Sequence, residues 1–413
     1  EELKRLKGEV KTTAKIGGKR YAGAIVIEPM PGVYFNVVVL DFASLYPSIV
    51  KVWNLSYETI DPPQGWCEDG KLLNITDERE GILHTVCTSR RGITSSLVGL
   101  LRDFRVGVYK KLARQASEEE LKNWYDVVQR ALKVYVNASY GVFGHESFPL
   151  YTPSLAESVT ALGRYVITRT LSKAGELGLR VLYGDTDSLF VWSPDPNALN
   201  TLIKWVEENL SLEIEQDKVY KYVAFALKKN YVGVLEGSRV DVKGLVGKKK
   251  NVPKILQDSF TRILEMISGV EGTVDSLEGV KNEIRREVRE LYVKLRNKDF
   301  TLDDVVFRTT LSKDLESYVK TTPIHVKAAL HLKRHGVSVE RGMTILYVKV
   351  KGSSGVKPVQ LAKVEDVDIT EYLRTAKSVL QQLLMPFSIS WEEVAGGMGL
   401  THFTSSNNTA HTF

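Results

Sequence analysis

Cysteine is almost missing: Cys67 and Cys87 are the only two in 413 residues, with no Cys-x-x-Cys pair. Their spacing indicates neither a zinc site nor a disulfide framework, and a reducing, intracellular setting fits that usage. Long apolar runs are missing as well. None reaches eighteen residues, and the charged opening Glu1-Glu2-Leu3-Lys4-Arg5 is no signal peptide, so no membrane partner is expected. Neither an internal repeat nor a low-complexity tract is found. What remains, 43% hydrophobic and 26% charged, is the composition of a globular protein, too long for one core, so two or three domains are expected.

The net charge of +6 is modest but unevenly spread. Ten Lys/Arg lie between Lys218 and Lys254 against two acids, Glu236 and Asp241. A bare lysine run is usually a solvated face. Here Tyr220, Tyr222, Phe225 and Tyr231 interleave with the cations, which favours a polyanion such as nucleic acid.

Along the chain, Tyr34–Leu40 reads as a buried strand ending at Asp41, after which Phe42–Val50 turns helical. Residues 54–90 read as loop with short strands. Thr94–Gln115 and Glu118–Asn137 predict a helix pair with Ser117 as N-cap, and Ser154–Ala174 a helix capped by Ser154 with Glu157 closing a capping box. Asn200–Leu210 reads as helix and Glu213–Val246 mostly as strand. Beyond Pro253 helical periodicity dominates, over Ile255–Ile267, Ser276–Leu295, Thr301–Arg308, Ile324–Arg334 and Tyr372–Leu384. Ser405–Thr409 reads as a frayed tail.

Between two apolar runs, Val181–Tyr183 and Leu189-Phe190, lies a Gly184-Asp185-Thr186-Asp187 turn. Asp and Gly favour turns for steric reasons alone, so the motif by itself is bland. Buried acids need a cationic partner, however, and Mg²⁺ is commonly held by one or two carboxylates plus substrate phosphates. Asp41 at the end of a buried strand supplies a second carboxylate. Acids from separated segments sharing two ions suit phosphoryl or nucleotidyl transfer. Lys133 and Asn137, four apart on one helical face, and Arg105 on the preceding helix offer phosphate-binding groups. Each cation alone would be an ordinary solvated side chain.

Together these segments resemble family B DNA polymerases. Asp41-Phe-Ala-Ser-Leu-Tyr-Pro-Ser-Ile49 is similar to motif A, Lys133-Val-Tyr-Val-Asn137-Ala-Ser-Tyr140-Gly141 to motif B, and Tyr183-Gly-Asp-Thr-Asp-Ser188 to motif C, in that order. Tyr21-Ala-Gly-Ala24, Ala156–Ala161, Lys228-Lys-Asn-Tyr231, Lys243-Gly244 with Lys248–Lys250, and His325–Val348 extend the likeness over residues 21 to about 390. The nearest resemblance is to archaeal, crenarchaeal replicative enzymes.

The resemblance implies an α+β right-hand architecture: an antiparallel-sheet palm (1–93 and 146–253), helical-hairpin fingers (94–145) and a mostly helical thumb (254–413). It implies template-directed addition of dNTPs to a primer by two Mg²⁺ ions, with Mn²⁺ as an alternative. Asp41, the Phe42 carbonyl and Asp187 would hold the metals, with Asp185 the less essential acid. Tyr46 would be the sugar steric gate, Arg105, Lys133 and Asn137 would hold the triphosphate, and Tyr140 would line the base-pair pocket. Lys228, Lys229, Tyr231, Lys243, Lys248, Lys249 and Lys250 would contact duplex DNA. Further partners implied are a sliding clamp and a separate exonuclease-bearing N-terminal part or subunit; proofreading is not expected within these 413 residues, and a cytoplasmic, nucleoid-associated location follows.

Some positions depart from the family pattern. Tyr109 stands where a lysine commonly follows the fingers arginine by four, with Lys110 next, and Arg102 rivals Arg105 for that role. Motif B reads Asn-Ala-Ser where many relatives have Asn-Ser, and Lys248–Lys250 lacks the acid of the family's segment. An inactive paralogue serving as a DNA-binding replication subunit is the main alternative, disfavoured because Asp41, Lys133, Asn137, Asp185 and Asp187 all stand. A two-metal nuclease suits the acids but not Lys133, Asn137 or Tyr46. Gln381–Phe387 weakly resembles a clamp-binding box, but Leu384 and Phe387 suit a helical core face better.

Overall fold

The computed structural model describes residues 13–16, 19–23, 25–77, 80–149, 151–245, 251–270, 274–319 and 322–395. Lys248, Lys249 and Lys250, Ala24 of the Tyr21 segment and the Ser405–Thr409 tail lie outside them. The chain forms two compact units, one from Glu1–Met30 and Tyr34–Tyr222, the other from Pro31–Val33 and Val223–Phe413. The fold is α+β, with antiparallel strand pairings among the described residues of both units. Among the described residues no helix is long and apolar enough to cross a membrane.

In the first unit, hairpin β1 (Thr13–Ile16) and β2 (Lys19–Ala22) precedes β3 (Val26–Ile27) and the long β4 (Gly32–Phe42). Val37 and Leu40 of β4 are fully buried, as expected of a β-branched run inside a sheet. Ser44, with φ 57 in the left-handed region, turns the chain into α1 (Leu45–Val52), whose Pro47 sits in the first turn where a missing N–H costs nothing. Hairpin β5 (Leu72–Asp77) and β6 (Gly81–Cys87) follows, then α2 (Ile93–Asp103), a π-helical turn at Phe104–Tyr109, α3 (Lys110–Gln115) and the long α4 (Glu119–Phe143). Helix α5 (Pro153–Glu176) leads to β7 (Arg180–Asp185), β8 (Ser188–Trp192), α6 (Pro196–Leu210) and β9 (Ile214–Leu227).

The sheet runs β9–β4–β8–β7–β3. Leu155, Val159 and Val166 of α5 share one core with Leu40, Leu189 and Val191. Burying each such side chain is worth roughly 1.5–3 kcal/mol, and that layer holds the Asp185–Asp187 hairpin in place.

Two expected caps are corrected. Helix α4 is preceded by Glu118, not Ser117, as its N-cap. Helix α5 starts at Pro153 with Thr152 as N-cap and no side-chain cap, because proline at the first position presets φ without needing a donor. Glu157 is drawn instead to His84, whose Nε2 lies 3.0 Å from its carboxylate and whose Nδ1 lies 2.7 Å from Asp61.

The cysteines are also corrected. Cys67 and Cys87 form a disulfide with Cα atoms 5.7 Å apart. Cys87 faces Leu72 across the β5–β6 ladder, and the Lys71 N–H to Glu68 carbonyl turn (3.1 Å) folds Cys67 back beside it. Hairpin register, which linear spacing does not carry, brings them together.

In the second unit β9 ends beside β10 (Asn230–Leu235), which pairs with β11 (Val240–Lys243). Helices α7 (Lys254–Ser268) and α8 (Val274–Asn297) pack together, joined where Arg262 donates from Nε (2.9 Å) and Nη2 (2.7 Å) to the buried Glu287 carboxylate. The short α9 (Leu302–Val305) opens with a capping box between Thr301 and Asp304. The helix expected over Thr301–Arg308 stops there, since Phe307–Thr310 is β12, the edge of a sheet with β13 (Thr344–Lys349) and β14 (Val356–Pro358). Helix α10 (Ile324–Arg334) lies against β13 and β14, and Tyr372 of α11 (Ile369–Leu384) donates to the Val305 carbonyl at 2.6 Å. Leu384 and Phe387 are buried in this unit, as the core alternative to a clamp box requires.

The disulfide closes a sequence separation of 20 residues. Constraining an unfolded loop of that size is worth about 3 kcal/mol. Cys67→Ser should therefore lower Tm by roughly 5–10 °C, and a reductant should lower wild type but leave the variant unchanged; equal melting of all four samples would show that the bond contributes nothing.

Candidate active site

Asp41, next to last in strand β4, faces Ser188 of β8 in register, and the Phe42 N–H donates to the Asp187 carbonyl at 2.8 Å. Thr186, at φ 60, allows the two-residue connection between β7 and β8. Strand β4 and the hairpin tip therefore end together, bringing Asp41 and Asp187 to one cleft of about 220 Å³. Its other walls are Phe42, Ala43, Ser44, Leu45, Tyr46 and Pro47 from the β4–α1 junction, Thr186, Lys133 and Asn137 from α4, and Arg105 and Lys110 from the α2–α3 segment. Asp185 faces Val26 of β3 and does not line this cleft.

Tyr46 packs against Tyr140, with ring centroids 4.8 Å apart. Gly163 of α5 permits this position, since a Cβ there would lie 3.1 Å from Tyr46 Cε1. Arg105 Nη1 donates to Ser44 Oγ at 2.5 Å, while its Nε is buried without a hydrogen-bond partner. Arg102 is turned elsewhere. Its guanidinium donates to Ser48 Oγ (3.0 Å), Asp103 (3.1 Å), Glu213 (3.0 Å) and the Ala43 carbonyl (3.2 Å).

The electrostatics follow from burying acids beside each other. Burial, then the charges of Asp187 and Asp217, push the Asp41 carboxyl up to about 7, against the pull of Lys110 and Lys133. Burial also raises Asp187, with Asp185 adding to the effect and a backbone hydrogen bond and Lys133 opposing it. Burial and then Arg102 hold Arg105 below its ordinary range, which Asp41 and Glu215 partly offset.

Among the described residues no group of three or more His, Cys, Asp or Glu side chains could by itself hold a metal. The donor set here is two carboxylates with carbonyl oxygens beside them. That suits Mg²⁺, which binds through one or two carboxylates and substrate phosphates rather than in an all-protein cage.

Three contributors were not picked out from sequence as part of this site: Lys110, Asp217 and Glu215. The signal was available in the last two. Glu215 and Asp217 of β9, with Glu213 just before it, recur at every second residue, the period of a strand.

In the second unit, Lys228 and Lys229 form the β9–β10 turn, Lys229 at φ 61. Tyr231 faces Lys243 in register and its ring is buried against Phe225, centroids 5.7 Å apart. Gly244 closes against the turn: a Cβ there would lie 1.9 Å from the Lys229 carbonyl oxygen. The fold thus gathers Lys228, Lys229, Tyr231 and Lys243 in one place.

The cleft thus sets paired acids at a sheet end opposite a helical cationic face. The chain belongs to DNA polymerase family B, whose profile matches residues 5–386. It is 50% identical to DNA polymerase 1 of Sulfolobus acidocaldarius over 98% of this chain and 46% of that protein, and 51% identical to DNA polymerase 1 of Saccharolobus solfataricus with the same coverage. Among solved structures, the family B DNA polymerase from the hyperthermophilic archaeon Pyrobaculum calidifontis matches with a TM-score of 0.67 at 31% identity, over 95% of this chain and 49% of that one. The chain spans about half the length of these relatives.

An acid whose pKa is raised on folding stabilises the folded state below its unfolded value near 4 and forfeits that contribution as pH rises through about 7. Metal-free protein should therefore lose stability between pH 5 and pH 8 relative to Asp41→Asn, which cannot ionise. Melting both in chelator at the two pH values checks this; a Tm difference that does not change with pH would show that Asp41 ionises normally.

Proposed function

We propose that this chain carries the nucleotidyl-transfer centre of a DNA-directed DNA polymerase, adding dNTPs to a primer 3′ end under the direction of a template. The single observation that carries the reading is the cleft in which Asp41 and Asp187 face Lys133, Asn137 and Arg105. Asp41, Asp187 and the Phe42 carbonyl would hold two Mg²⁺ ions, which when bound supply charge neutralisation and activation of the primer hydroxyl. Lys133 and Arg105 bind the triphosphate, one as a point charge and one as a fork, and Asn137 adds a neutral donor. The N-terminus of α1, whose first residues line the cleft, adds its dipole to the same end. Tyr46, braced by Tyr140 and Gly163, occupies the space a 2′-hydroxyl would need. Asp185, set back from the cleft, steadies the hairpin. A nuclease would have no use for this cationic face and gate, and an inactive scaffold would not need two half-buried acids with raised pKa.

On this reading β3, β4 and β7–β9 are palm, α2–α4 fingers, and the helical part of the second unit thumb. Lys228, Lys229 and Lys243 contact duplex backbone without reading sequence, while Tyr231 shapes their turn. Primer-template DNA and dNTPs are the partners required. Family membership adds a sliding clamp, an exonuclease-bearing part or subunit, and residence on the nucleoid.

Asp187→Ala should abolish primer extension while leaving duplex affinity largely intact, since duplex is held through backbone contacts elsewhere. Normal extension by that variant would refute the metal assignment. Tyr46→Ala should raise ribonucleotide incorporation, and Gly163→Ala should do so more weakly by displacing the ring. Sugar selection unchanged in both would remove the gate.

A further inference from the structure

The π-helical turn between α2 and α3 sets which side chains share a face. In an α-helix, side chains three or four apart are neighbours. Here the Lys110 N–H bonds to the Arg105 carbonyl, five residues back, so Lys110 follows Arg105 on the same side. Both line the cleft with Asp41 and Lys133. Tyr109 is committed elsewhere, its ring against Trp124 and Tyr125 of α4 with centroids 6.2 and 6.3 Å away.

Lys110 is not waiting in solvent. Its Nζ donates to Glu215 of β9, which also has Arg114 at 3.6 Å. The start of β9 therefore fastens this segment at two levels, Glu213 just before the strand to Arg102, and Glu215 within it to Lys110 and Arg114. The two levels differ in one respect. Arg102 is nearly buried and spends its donors on four partners. Lys110 keeps about a quarter of its side chain exposed, at 27%, and borders the cleft. An ammonium has three donors on a flexible stem, and exchanging one carboxylate for phosphate oxygens needs only a swing of that stem.

We infer that Lys110 is a further triphosphate-binding residue, brought onto the Arg105 face by the π turn, and that Glu215 holds it in reserve until the substrate's phosphates replace the carboxylate. This rests on the polymerase reading above. The Arg102–Glu213 pair is the fixed anchor of the segment, and Lys110–Glu215 is the exchangeable contact.

Single-nucleotide incorporation by the whole chain on a primer-template, with duplex affinity measured in parallel, tests it. Lys110→Ala should raise the dNTP KM by roughly tenfold or more, the worth of one hydrogen bond to a charged group, with kcat and duplex affinity changed far less. Lys110→Arg should recover most of the loss. Glu215→Gln should lower the KM by about two- to fivefold, as expected when a partly exposed ion pair is removed. Tyr109→Lys combined with Lys110→Ala should not rescue, because residue 109 faces α4.

A wild-type KM in Lys110→Ala overturns the proposal and leaves the polymerase reading standing. So does a loss confined to kcat or duplex affinity, which would mark a structural role. Rescue from position 109 overturns the π register, and a raised KM in Glu215→Gln overturns the reserve role. A wild-type chain that adds no nucleotide overturns both readings.

Discussion

Two half-buried carboxylates brought to one cleft are the constraint around which the first unit is arranged. Asp41 and Asp187 reach one cleft because β4 and the β7–β8 hairpin end at the same level of the sheet. Burial raises both pKa values, with the charges of Asp187 and Asp217 adding to the rise at Asp41 and that of Asp185 to the rise at Asp187. A fold selected only for stability would avoid that cost. Here it is offset by cations on helices that have no sequence proximity to either acid. The result is a cleft with acids on one wall and cations on the other.

The wall of cations depends on a local irregularity. Helix α2, the π turn and α3 form one continuous segment in which Arg102 is spent on holding the segment to Ser48, the Ala43 carbonyl and Glu213. Three residues on, Arg105 is turned into the cleft, and five beyond that so is Lys110. A regular α-helix would have brought residue 109 onto the Arg105 face instead. Single π turns commonly mark functional sites, and here the extra residue in the turn decides which side chain faces the cleft.

Much of the site was legible in the chain because its parts are short and chemically distinctive. An acid ending a buried strand, an acidic turn between two apolar runs, and Lys133 and Asn137 at helical spacing each follow from local pattern. Arg102 against Arg105 was not legible: both are arginines on one helix, and only Ser44, Ser48 and Glu213, far away in sequence, separate anchor from cleft. Ser154 read as a cap because Ser-x-x-Glu is a capping pattern, yet Pro153 set the start and His84 claimed Glu157. Thr301–Arg308 read as a helix because a strand of four residues carries little periodicity; its pairing with β13, some forty residues later, made β12.

Local steric and hydrophobic pattern thus determined most helices, the hairpin, the buried strand and the identity of the acids, since each depends on neighbours within a few residues. Tertiary structure alone decided the contacts between distant segments. It joined Cys67 to Cys87 through hairpin register, raised the Asp41 pKa through burial beside Asp187 and Asp217, braced Tyr46 against Tyr140 and Gly163, and placed Lys110 between the cleft and Glu215. Those outcomes depend on distance and desolvation, and neither is a property of residue order.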